Sequence, residues 1–297
     1  MTFQEWQSKG KSLKVNGIDV FFVDEGKADE TLVVLHGYPT CSYDYWRILP
    51  QFSEKYRVII HDHPGFGLSG KPIDYTYSLV DQADIALNLW RQLDIRSAHI
   101  LAHDYGTSVA TEIIARRNFG IEPVKILSAT LGNGSMLIEM SKLRLVQKLL
   151  LSPLTGNLTA SLMTRNLFKR NMRNIWADPK TVDDQEMDVL WEMINYGDGI
   201  SVFPKITQYI KERYRLWHRW IGGLEKTDLP VNLVWADKDP VAVIGMAYRL
   251  DKLIRDTRLQ VIEGVGHYPM LESPEIYVDA VLSFLKNPRF DNHQKTY

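Results

Sequence analysis

Ala102-His103-Asp104-Tyr105-Gly106 is the stretch on which the reading of this chain turns. It follows an apolar run, Ala98 to Ala102, and precedes a helical pattern that starts near Thr107. A chain that passes from a buried strand straight into a helix strains the backbone of the residue at the turn. Large neighbours two positions away would collide across it, so Ala102 and Gly106 suit the geometry. Asp104 at the centre has two readings. It caps the following helix, as Asp commonly does, or it presents a nucleophilic carboxylate at a sheet edge, kept ionised by the helix N-terminus.

Working outward, short apolar runs recur at Thr31 to Leu35, Arg57 to Ile60, Val124 to Ala129, Val231 to Trp235 and Leu259 to Ile262. They lack strict alternation, as strands buried on both faces do. Between them, Leu79 to Leu93, Ser108 to Arg117, Val241 to Ile254 and Pro274 to Leu285 are apolar every three to four residues, the period of a helix. This alternation predicts an α/β fold, a mostly parallel central sheet with helices on both faces. Ser12 to Val15 and Ile18 to Val23, split by Asn16-Gly17, predict an opening β-hairpin. After Gly132 the pattern breaks. From about Ser135 to Gly223 it reads as helices only, which predicts an inserted helical lid (135–223) in a core made of 1–134 and 224–297.

Composition narrows the function classes. With 45% hydrophobic and 24% charged residues the chain falls among ordinary globular proteins. A formal charge of -1 gives no field to gather nucleic acid, so a small neutral substrate is expected. One cysteine, Cys41, excludes an internal disulfide and a multi-cysteine zinc site. The polar mixture from Met1 to Gly17 does not read as a secretory signal, and cytoplasm is the plain expectation. His61-Asp62-His63 alternates as metal ligands on a strand could, but no second ligand cluster accompanies it, so a structural role is expected and no metal. Trp90 and Trp217 read as packing residues, no Gly-rich phosphate loop is present, and no cofactor is implied.

Further motifs bear on Asp104. Leu35-His36-Gly37-Tyr38-Pro39 ends the Thr31 strand, Trp235-Ala236-Asp237-Lys238-Asp239-Pro240 ends another, and Gly264-Val265-Gly266-His267-Tyr268 follows the last. Nucleophile, acid, histidine is the chain order of the α/β-hydrolase triad, with His267 as general base and Asp237 or Asp239 as its orienting acid. In that fold the backbone amides of Tyr38 and Tyr105 would form the oxyanion hole. His36, heading the Tyr38 loop, is a candidate substrate contact.

Across nearly its whole length the sequence resembles the Asp-nucleophile branch of the α/β hydrolases, which holds epoxide hydrolases, haloalkane dehalogenases and the mesoderm-specific transcript proteins. The last group is nearest, through His36 to Thr40, Ser42 to Trp46, His103 to Gly106, Asn195 to Gly199, Gln208 to Arg213 and, in part, Gly264 to Met270. The resemblance implies that Asp239, placed before Pro240, is the acid. It implies an apolar, electrophilic substrate, with which Asp104 forms an alkyl ester that water activated by His267 hydrolyses. Epoxide hydrolases donate to the opening ring through lid tyrosines, so Tyr209 and then Tyr196 and Tyr214 are candidate substrate contacts. Haloalkane dehalogenases usually carry a Trp after the nucleophile where this chain has Tyr105, so epoxide hydrolysis leads and dehalogenation follows. A non-catalytic binding protein of the same fold would need a disrupted triad. The lid adds a basic stripe: seven Lys and Arg between Met136 and Ile175 face the single acid Glu139 and are interleaved with leucines. A solvated lid face and a weak contact with anionic membrane surfaces are its two readings.

Overall fold

The computed structural model describes residues 1–289; positions 290–297 of the expected second core segment lie outside the described residues. Its strands are β1 (Gly10–Val15), β2 (Ile18–Glu25), β3 (Thr31–Leu35), β4 (Arg57–His61), β5 (Ser97–His103), β6 (Lys125–Gly132), β7 (Val231–Ala236) and β8 (Thr257–Ile262). They form one sheet in the order β1-β2-β4-β3-β5-β6-β7-β8. β1 with β2 and β2 with β4 are antiparallel, and every pairing from β4 across to β8 is parallel. β3 and β7 are buried end to end, which is why their sequences run apolar without alternating.

Ahead of β6 the helices are α1 (Phe3–Lys9), α2 (Leu49–Ser53), α3 (Leu79–Gln92) and α4 (Tyr105–Asn118). Between β6 and β7 come α5 (Leu145–Leu151), α6 (Gly156–Ser161), α7 (Arg165–Arg173), α8 (Asp184–Asn195), α9 (Phe203–Ile206) and α10 (Tyr209–Lys226), with no strand among them. α11 (Ile244–Leu253), α12 (Pro269–Glu272) and α13 (Pro274–Leu285) complete the chain.

The hairpin forms as read, Asn16 and Gly17 both taking positive φ (49° and 86°) with Val15 opposite Ile18. It does not open the fold. α1 precedes it, capped reciprocally by Thr2 and Glu5 and anchored by buried Trp6, whose indole donates to Ser42 Oγ at 3.1 Å. α4 starts at Tyr105, not near Thr107, because helical backbone begins directly after Asp104. α11 starts later than its periodicity suggests, since the Val241 and Ala242 amides are taken by Asp239. α10 runs through the expected boundary at Gly223. That glycine lies against Ala115 of α4, and Asn118 donates to its carbonyl at 2.7 Å, so the end of α10 packs with the sheet's own helices.

The strand order places the site. β3 has β4 on one side and β5 on the other, so the loops leaving β3 and β5 diverge above a point where the winding reverses, the usual ligand crevice of a parallel sheet. The loops after β6, β7 and β8 follow along the same edge.

Candidate active site

Asp104 sits on that edge with φ 42° and ψ −107°, a conformation few side chains adopt. Local structure forces it. A Cβ on Gly106 would come within 2.3 Å of the Leu35 carbonyl oxygen, so only glycine lets α4 approach β3 this closely. The Asp104 carbonyl accepts from Thr107 N (3.1 Å) and Thr107 Oγ1 (2.6 Å), and Asp104 N donates to Gly132 (3.2 Å). Although Asp104 stands at the N-cap position of α4, its side chain makes no capping bond. Oδ2 instead accepts from the Tyr38 amide at 3.1 Å. The Tyr105 amide heads α4, where N–H groups have no partner within the helix.

His267 follows β8, and its Nδ1 donates to Asp239 Oδ2 at 2.7 Å, both residues buried. The other Asp239 oxygen accepts from Val241 N (2.7 Å) and Ala242 N (3.1 Å). Asn133, at φ 44° after β6, donates Nδ2 to Asp239 Oδ2 at 2.7 Å and accepts from Ala236 N at 3.1 Å. Four donors thus surround the carboxylate. Burial pulls the Asp239 pKa up, but the charge and hydrogen bond of His267, with Asn133 and Val241, hold it below the usual range. Burial pulls His267 down, yet the Asp239 charge and hydrogen bond, then the Asp104 charge, push it up to about 9. Asp237, the other acid considered, accepts from Gly264 N and from Lys238 at 2.7 Å each, tying two loops together as a turn residue.

Asp104, His267 and Tyr38 share the lining of one cavity of about 400 Å³. Its other walls come mainly from the inserted helices and include Leu150, Phe168, Met172 and Trp191.

The remaining expected contacts fare differently. Tyr209 is absent from the cavity lining and buried, its ring packed against Tyr38 and Tyr105 and under the Arg213 guanidinium. Burial and then the Asp104 charge raise its pKa, so the phenol keeps its proton. Tyr214 lies five residues on along α10, about 140° around the helix, and is 56% exposed. Tyr196 is 42% exposed, turned outward where Gly197 and Asp198 take positive φ, and packs on Phe3 and Lys71. Neither reaches the cavity, which corrects both assignments. His36 is corrected too. Its Nδ1 bonds Gly37 O (2.8 Å) and its Nε2 accepts from His63 N (3.0 Å), so both ring nitrogens brace the loop and none is left for substrate. His61 and His63 lie buried with their rings 4.9 Å apart, and Asp62 accepts from Ser42 N and Leu68 N. Among the described residues no cluster of His, Cys, Asp or Glu is arranged to hold a metal ion.

Sequence reasoning missed Asn133 and Glu272. Glu272 accepts from Gly266 N (3.0 Å), Tyr268 N (3.2 Å) and Ala177 N (2.9 Å), clamping the His267 loop to the inserted helices, and the His267 amide donates to Ile175 O at 2.8 Å. Gly132-Asn133-Gly134 offered a signal, since Asn tolerates the left-handed backbone between strand and insertion.

A family description, the alpha/beta hydrolase fold, matches residues 30–274. The LipZ protein of Mycobacterium tuberculosis is 36% identical over 283 residues, covering 95% of this chain and 97% of its own length. The mesoderm-specific transcript homolog protein of Bos taurus is 32% identical over 295 residues, 95% of this chain and 87% of its own. The crystal structure of Cfl2 from Burkholderia cenocepacia superposes with a TM-score of 0.80 at 22% identity, covering 93% of this chain and 95% of its own. With the match spanning β3 to β8, the turn at Asp104 and the loops of Asp239 and His267, the chain belongs to the α/β-hydrolase fold family.

Proposed function

We propose that this hydrolase opens a small apolar epoxide through a covalent ester on Asp104, with the helices between 135 and 223 serving as a lid over the site. The observation that carries the reading is a carboxylate, not a hydroxyl, at the strained turn, free of any capping bond and sharing an apolar cavity with His267, which Asp239 holds from behind. An Asp104 oxygen attacks a ring carbon, the carbon–oxygen bond breaks, and the alkoxide takes a proton. His267, which the Asp239 carboxylate holds protonated at neutral pH, supplies it. Ester formation removes the Asp104 charge and with it part of what holds the proton on His267, so the step leaves a neutral base. That base then takes a proton from water attacking the ester carbonyl, and the Tyr38 and Tyr105 amides stabilise the oxyanion. Tyr209, kept protonated, packs against Tyr38 of the cavity wall.

Dehalogenation is the second reading, favoured because Trp191 and Asn171, both N–H donors, line the same cavity. A panel of apolar epoxides and haloalkanes, followed by diol and halide release, separates the two. Diol formation that disappears in Asp104→Ala is expected. Halide release without diol would favour the second reading, and ester hydrolysis that survives Asp104→Ala would overturn both.

A further inference from the structure

α5, α6, the turn between them and the residue that caps the end of α6 expose Leu145 (72%), Leu149 (37%), Leu154 (93%), Leu158 (61%) and Leu162 (62%). Single exposed leucines are ordinary on any surface, but five within one short helical pair are not. The spacing gathers them: Leu145 and Leu149 are four residues apart, as are Leu158 and Leu162, so each pair shares one side of its helix. Leu145 and Leu149 also line the cavity, which makes the patch continuous with its rim.

Charge around the patch is unbalanced. Of the basic stripe, Arg165, Lys169 and Arg173 are neutralised by Asp184 and Asp188 of α8. Glu139, the one acid of the stretch, is taken by Arg249 at 2.8 Å. Lys142, Arg144, Lys148 and Arg170 make no ion pair among the described residues. A face that joins unpaired cations to exposed leucines is complementary to an anionic lipid surface, which offers phosphates at the depth of the cations and hydrocarbon just beneath. No helix among the described residues is long and apolar enough to cross a membrane, so such contact is interfacial.

We propose that the α5–α6 face seats reversibly on an anionic bilayer, so that the cavity rim at Leu145 and Leu149 meets lipid and apolar substrate enters from there. Cosedimentation with vesicles of equimolar phosphatidylcholine and phosphatidylserine, against phosphatidylcholine alone, tests it. Binding to the anionic vesicles at low salt that weakens as salt rises is expected. Leu154, Leu158 and Leu162 touch neither cavity nor core. Their joint substitution by Gln should remove binding with the melting temperature unchanged. Lys142→Gln with Lys148→Gln should weaken partitioning by roughly twenty-fivefold, at about fivefold per charge. Negligible binding of the native protein to both vesicles at low salt, or undiminished binding of the triple variant, would overturn the proposal. A lipid-free dimer that the triple variant disperses would also overturn it, by assigning the face to a second copy of this chain.

Discussion

Replacing Asp239 by Asn tests how the acid sets the state of its histidine. The substitution keeps one oxygen for the Val241 and Ala242 amides but turns the other into an NH2 group. That group faces two donors, Asn133 Nδ2 and His267 Nδ1. Asn133 cannot turn its amide over without losing the Ala236 N–H that its oxygen accepts. The ring yields instead: Nδ1 becomes the acceptor and the proton moves to Nε2, the nitrogen that must stay free to act as base. The Asp239 charge also goes, while the burial that depresses the imidazolium remains. The pKa should therefore fall from about 9 to 6.5 or lower, a change worth about 3 kcal/mol or more. Deacylation should slow by about 10²–10⁴-fold, the usual worth of a general base. Alkylation of Asp104 draws its proton from the His267 imidazolium, so at neutral pH it should slow as well; below the lowered pKa, where the ring is charged again and cannot act as a base, the ester should accumulate and be visible by mass spectrometry of the intact protein. Histidine NMR titration reads the pKa directly. Native turnover together with a His267 still titrating near 9 would refute the reasoning.

Gly106→Ala would push a methyl group to 2.3 Å from Leu35 O and 2.6 Å from Leu35 C, both backbone atoms, so a loss of at least about 3 kcal/mol is expected in chemical denaturation. Gly222→Ala, in helix α10 with nothing within 4 Å of the new Cβ, should instead stabilise by about 0.5–1 kcal/mol. Glu112→Gln should lower the melting temperature by several degrees, because this buried carboxylate joins Arg116 of α4 to Arg219 and Trp220 of α10, and breaking such a network costs about 3 kcal/mol. The Asp239–His267 pair makes stability depend on pH. His267, raised in the fold from 6.5, contributes fully below pH 6.5 and loses that contribution as pH rises through about 9, whereas Asp239, depressed from 3.8, loses its own as pH falls below 3.8. Melting curves of the native protein and Asp239→Asn should therefore differ most between pH 3.8 and 6.5, draw closer as pH rises through about 9 and converge as pH falls below 3.8.

Local rules made the sheet legible. β3 and α13 lie where the apolar run and the helical period put them, because burial on both faces and amphipathicity leave direct marks in sequence. α1 was not foreseen, since with Trp6 as its one buried side chain it shows no period, although Thr2-x-x-Glu5 carries a capping box. His267 and Asp239 were readable from their strand ends and chain order. The partners that hold them were not. Asn133 lies 106 residues from Asp239 and Glu272 is 95 from Ala177, and contacts of that reach depend on how loops meet above the sheet, which no local pattern encodes. Tyr196 and Tyr214 miss the cavity for a related reason. A residue type shared with a family says nothing about the side of the helix it occupies, and the turn at Gly197 and Asp198 decided against Tyr196.

A covalent ester on Asp104 leaves its mark in a single turnover of an apolar epoxide in water enriched with heavy oxygen, the enzyme in excess. Water attacks the carbonyl carbon of the ester, so the oxygen it delivers stays in the carboxylate while the diol carries away an oxygen that Asp104 held before. Digestion and mass spectrometry should find the label in the peptide containing Asp104, with first-turnover diol essentially unlabelled. Label wholly in that diol and none in Asp104 would mean that water attacks the substrate itself and that no ester forms.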